Sequence, residues 1–402
     1  MIPLKGWAPS LALSACIACA PGAAQPVAAA PAPTSVGSSL SPAPAPLVAD
    51  PPPKPALIAS SAFTPFGRVV AMDERQPPWS LPATPRPSAG APARYERWHE
   101  KAKSTVGYGY LSILDLSLDQ RSLLVVSEDE AKLRVYDFPS LRLVSSIAVE
   151  GYKQYARGDF VFAPTQASRP FAVFAGENGL FQLDTASPTA VALSELPADS
   201  LRFTDDHAVL GASCAFIPEQ RSRLVFYAFT RAGALEPLLS LDFAERVEEW
   251  DLDTAKKRLA VTYYPSNETE LLDLASRQVL WTAAAPPYSN SVDMSPDDTK
   301  IAVGGASVVV HDAATGNVVA ADAHFGNNVH RVRFSPSGDA LAVSSYEGKL
   351  RIFDAKAPGP ALPLRRLLRH SGTANVYALA FTRDGSALVS GSGDKTVRVW
   401  GE

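Results

Sequence analysis

The 402-residue chain has three cysteines, six histidines and no excess of basic charge, and each shortage closes off a class of protein. Lys and Arg number 37 against 41 Asp and Glu, a net charge of −4, so the electrostatic footprint of a nucleic-acid binder is missing. Cys16-Ile17-Ala18-Cys19 has the C-x-x-C form but lacks a second pair or a nearby His, which argues against a redox or metal role. Cys214 is then alone in the remainder, so no disulfide can staple it. No run approaches the roughly eighteen apolar residues needed to cross a bilayer. The hydrolase strings G-x-S-x-G and H-E-x-x-H are absent as well. His99, His207, His311, His324, His330 and His370 are spread along the chain without pairing, and neither a cofactor nor a metal is expected.

What the chain does have is repetition. Val376 to Glu402 reads VYALAFTRDGSALVSGSGDKTVRVWGE: three short apolar runs parted by Arg383-Asp384-Gly385 and by Gly391 to Asp394. That is the pattern of a three-stranded antiparallel meander, too small to bury a core unless copies stack on it. Copies begin near positions 113, 160, 201, 247, 292 and 332, which with 376 makes seven. Their spacing of about forty to fifty residues suits four-stranded propeller blades. Asp297-Asp298 occupies the turn position of Ser337-Gly338 and Asp384-Gly385, so a turn explains these carboxylates better than a calcium site, as it does Asp251 and Asp253.

The pattern resembles the WD-repeat family from about Ile113 to the C-terminus. Third strands of that family end in an aromatic or apolar residue followed by Asp; the matching pairs here are Tyr136-Asp137, Leu183-Asp184, Leu272-Asp273, His311-Asp312 and Phe353-Asp354, with Trp400-Gly401 last. The final repeat is also similar to the family in a side-chain network of His370, Ser390 (or Ser392), Asp394 and Trp400. The resemblance implies an all-β fold, a seven-bladed β-propeller of four-stranded antiparallel blades. Closing the ring hides two apolar end faces. Because Trp400 ends a third strand, a segment from the N-terminal side is expected to complete the last blade and protect its edge. Arg94–His99 is preferred for that strand over Phe66–Met72.

Ahead of this domain, placed at 94–402, residues 20–93 hold about half of the 35 prolines among Ala and Ser filler. They are expected to be a disordered spacer. Residues 1–19 have a lone Lys5, a short apolar stretch and Leu13-Ser14-Ala15-Cys16, which resembles the lipobox of bacterial lipoproteins. The resemblance implies acylation of Cys16 and a lipid anchor in the cell envelope; ordinary secretion is the alternative.

Gly391-Ser392-Gly393-Asp394-Lys395-Thr396 imitates a phosphate-binding loop, but Asp394 replaces the required Gly and would repel phosphate. Arg365-Arg366-Leu367-Leu368-Arg369 is read as the outer strand of a blade, and Glu248 and Glu249 are expected to meet channel water or Arg202 or Arg333. The resulting expectation is a non-enzymatic, monomeric scaffold that binds a protein or peptide on a propeller face. The competing readings are a hydrolase or lactonase-like propeller with a site over the channel, and a structural subunit of an envelope assembly complex.

Overall fold

A computed structural model describes residues 64–74 and 94–402, apart from 108–110, 112, 128–131, 149–159, 163–170, 177–178, 185–189, 195–197, 205–207, 217–218, 230–233 and 325–327. The lipobox, the Pro-rich stretches 20–63 and 75–93, and His207 therefore lie outside the described residues.

The described chain is a seven-bladed propeller of antiparallel sheets. First strands of the blades are Ile113–Leu116, Phe160–Phe162, Ser200–Phe203, Arg246–Leu252, Ser291–Met294, Val329–Phe334 and Val376–Phe381. In the first six blades the chain steps outward strand by strand, and in all seven the register slips once between the third and fourth strands. A slip of this kind is a bulge, which increases twist and turns the outer strand away from a flat edge.

Local chemistry repeats with the backbone. Between first and second strands, a hydroxyl bonds a carboxylate two residues on, as in Ser117–Asp119, Ser295–Asp297 and Thr382–Asp384 at 2.6–2.7 Å. The same hydroxyl accepts the N–H that opens the second strand, at Ser122, Lys300 and Ala387. At the end of the third strand, Asp137, Asp273, Asp312 and Asp354 fold back on the turn; Asp312 accepts from the N–H of Ala314 and Thr315, and Asp354 from Lys356 and Ala357. These Asx-type turns give a chemical reason for an Asp at the end of the third strand.

The core lies between blades. Each of the seven seams holds its own apolar cluster, including one in which Val389, Val397 and Val399 of the last blade meet Leu116, Leu123 and Val125 of the first. That last seam is the physical closure of the ring.

Two segments from before the first blade also join the wheel. Strand β1 (Val69–Glu74) pairs with Leu235–Phe243, the outer strand of the third blade, making that sheet five-stranded. Strand β2 (His99–Thr105) pairs with Thr396–Gly401 and supplies the fourth strand of the last blade. The expected strand Arg94–His99 needs correction. Tyr95–Arg97 is a single 3₁₀ turn, and the strand starts at His99. Tyr95 and Trp98 are both buried and three residues apart, a helical-turn spacing rather than the two-residue period of a strand. Phe66–Met72, set aside for the last blade, contributes to a strand on a different one.

Candidate interaction surface

In an up-and-down blade, the link from fourth strand to next blade and the link from second to third strand fall at the same end of the wheel. At this end Tyr288 and Tyr264 stand out from the fourth and fifth blades, 63% and 43% exposed. Their loops are locked together: the N–H of Tyr288 donates to Asn267 Oδ1 at 2.9 Å, and Pro287 O accepts from Ala306 N at 2.7 Å. Arg246 lies 5.7 Å from the Tyr264 ring centre. Further round, His330 stacks on Tyr346 (5.1 Å) and meets Tyr377 edge-on (4.9 Å), bridging the sixth and seventh blades.

The same end carries the His370 network. His370 Nε2 is 2.7 Å from Ser390 Oγ, which also accepts from Trp400 Nε1 at 2.7 Å, while His370 Nδ1 sits 3.2 Å from Asp394. One arrangement satisfies every group: Trp400 donates to Ser390, Ser390 donates to Nε2, and Nδ1–H donates to the carboxylate. It requires a neutral imidazole, and burial does hold His370 below the ordinary histidine pKa. Asp394 also accepts from Thr396, Ser371 N–H and Arg398, bonds that outweigh burial and keep its pKa far below the usual carboxylate value. Ser392, the alternative to Ser390, bonds Asn375 O instead. His324 and His99, although similarly placed in sequence, are exposed and belong to no such network; His324 pairs with Asp322. His311 is buried against Trp281, with Nδ1 2.9 Å from Gly316 O.

Towards the centre, charged side chains of the first strands pair across blades. Arg202 reaches Asp251 (3.0 Å) and Asp293 (2.9 Å), Arg333 reaches Asp293 (3.5 Å), and Arg331 reaches Glu249 (2.7 Å). Glu248 pairs with Arg246 on its own strand. The expected partners of Glu248 and Glu249, Arg202 and Arg333, are thus replaced by Arg246 and Arg331, because Asp251 and Asp293 take the other two arginines. Asp251 and Asp293 also accept the N–H of Met294 and Phe334 in the following blade, at 2.7 Å each. Arg202, Asp251, Asp293 and Arg333 each stand just before the last residue of a first strand. Aligning the repeats at that position would have found the belt. Arg365, in the outer strand of the sixth blade, bonds Asp354 at 2.8 Å, and Asp253 bonds Arg258.

Fold and site define a wheel whose blades are tied by side chains to their turns and to each other, with aromatic loops at one end. Residues 317–354 and 362–401 match the WD domain, G-beta repeat family. Each matched unit starts on the outer strand of one blade and ends on the third strand of the next, so a repeat straddles two blades. The chain is a seven-bladed β-propeller, and two of its repeats are similar to WD repeats. It is similar to WD repeat-containing protein 1 of Gallus gallus, 39% identical over 72 residues, covering 18% of this chain and 12% of that protein. The Poly(A)+ RNA export protein of Schizosaccharomyces pombe is 34% identical over 74 residues, 18% of this chain and 20% of its own length. Human Echinoderm microtubule-associated protein-like 2 is 28% identical over 173 residues, 42% of this chain and 26% of that protein. The chain thus spans about an eighth to about a quarter of the length of these relatives.

Proposed function

We propose that the protein is a non-enzymatic interaction platform that holds a protein partner on the loop end of the wheel bearing Tyr264 and Tyr288. The observation that carries this reading is the exposure of two tyrosines on loops braced by prolines and backbone bonds. Rigid aromatic side chains lose little entropy on binding and are typical anchors of protein interfaces. The relatives bear names as different as RNA export and microtubule association, so the wheel alone does not choose the partner.

The platform is held at a membrane through acylated Cys16 in the cell envelope; the spacer is residues 20–63 and not the expected 20–93, because Phe66–Glu74 is bound to the third blade. This rests on the string Leu13-Ser14-Ala15-Cys16, outside the described residues. A chain with two or three acyl groups would bind a bilayer stably, whereas a single chain would not.

Affinity capture from detergent-solubilised membranes tests both statements. The wild-type chain is expected to retain a stoichiometric protein that Tyr264→Ser with Tyr288→Ser loses; retention by the double variant refutes the tyrosine face. Cys16→Ser is expected to move the protein to the soluble fraction, and unchanged attachment refutes the anchor.

A further inference from the structure

Strand β1 is surplus to the propeller. The third blade already has its four strands, and the ring is closed elsewhere by β2, yet residues Phe66–Glu74 are gripped along their length. Phe66, Val69 and Met72 enter the apolar cluster between the third and fourth blades, beside Leu239, Phe243 and Tyr263. Arg68 O accepts from Ala244 N at 2.8 Å, and Glu74 pairs with Arg277.

The grip is most selective at Arg68. Its guanidinium meets three carboxylates, those of Glu245 (2.7 Å), Glu268 and Glu270, and lies 4.6 Å from the Tyr263 ring centre. Glu270 is almost wholly buried and accepts a further bond from Tyr263 Oη at 3.0 Å. Burial disfavours the charge on Arg68, but the three glutamates outweigh it and raise its pKa above the ordinary arginine value. Take Arg68 away and three like charges face one another, one of them cut off from water; such a site calls for a cation. Gly67 has φ +55°, and a Cβ there would sit 2.6 Å from Val279 Cγ2 and 2.8 Å from Glu270 Oε2. The groove therefore reads aromatic, Gly, Arg and apolar in succession, by a backbone ladder on the outer strand Leu235–Phe243 and apolar contacts to Phe66, Val69 and Met72.

We propose that the outer seam of the third and fourth blades is a binding groove for an extended, arginine-bearing peptide, and that Phe66–Glu74 is its resident, displaceable ligand. The groove adjoins the Tyr264 loop, since Glu245 also accepts from Ser266 N at 2.8 Å, but its existence does not depend on the tyrosines having a partner. Because the resident segment is tethered, its effective concentration is on the order of millimolar, and an untethered peptide competes poorly until the resident is weakened.

The test uses the full chain and a fluorescent synthetic peptide of residues 64–74, read by anisotropy. Arg68→Glu in the protein puts a fourth carboxylate into the socket; Met72→Asp expels the segment by a different contact. Both variants are expected to bind the peptide saturably, at least tenfold more tightly than the wild-type chain does. A peptide carrying Arg68→Glu should bind them at least tenfold more weakly. Binding no better than wild type in both variants overturns the proposal, as does equal affinity for the substituted peptide. Loss of folding in both variants overturns it too, since the segment would then be part of the fold and not a ligand.

Discussion

Asp394 and His370 show how single side chains make stability depend on pH. Burial depresses the pKa of His370 below 6.5, so the folded protein binds fewer protons than the unfolded chain does. Its contribution is complete above about pH 6.5 and is lost as pH falls towards the depressed folded value. His311, also depressed by burial, acts in the same direction. Asp394, depressed from 3.8, contributes above that pH and is lost only in stronger acid. The thermal midpoint should be level from pH 8 to 7 and decline below about 6.5. Replacing both histidines by Gln should flatten that decline, which scanning calorimetry across the range checks. At Gly211 the constraint is steric: a Cβ would stand 2.1 Å from the Trp250 ring. Gly211→Ala should cost about 1–3 kcal/mol, measured by denaturant unfolding.

At the scale of the element, β1 (VVAMDE) and β2 (HEKAKST) both precede the first blade and both add to an outer edge, but they have unlike consequences. Removing residues up to 75 takes away only the fifth strand of a complete sheet and should leave a folded, monodisperse chain. Removing residues up to 106 also strips β2 and bares the backbone of Thr396–Gly401, an edge that invites pairing between chains. Sedimentation should show aggregates in the second case alone. Trp98, 1% exposed and 4.8 Å from the Tyr95 ring, anchors the entry to β2. Its replacement by Ala should cost about 3–5 kcal/mol. Burial pushes the Tyr95 hydroxyl up to about 12, so it stays a donor to Asp339 across the whole working range.

For the molecule as a whole, stability comes from the seams. No blade buries a core alone, and the apolar clusters form only when neighbours stack. The arginine–carboxylate belt adds ties between blades, and Glu249–Arg331 joins the fourth blade to the sixth. Arg331→Met leaves the nearly buried Glu249 without that cation and should cost about 2 kcal/mol. The double change with Glu249→Met should recover most of the loss, and a double-mutant cycle from urea unfolding checks the coupling.

Blade number and strand type were legible from the chain because the signals are local. Apolar runs of two-residue period, turn formers such as Asp384-Gly385 and the Asp closing a third strand each act within a few residues. The His370 network was legible for a related reason, since its members come from one repeat. What only the tertiary structure decided involves partners far apart in sequence. It set the blade to which β1 adds, the start of β2 at His99, and the arginine that meets Glu249. It also set the three glutamates around Arg68, about 180 to 200 positions away along the chain. A strand's pattern records which face is buried but not which edge it joins, and a charge records its sign but not its neighbour. Those choices follow from the geometry of the closed ring.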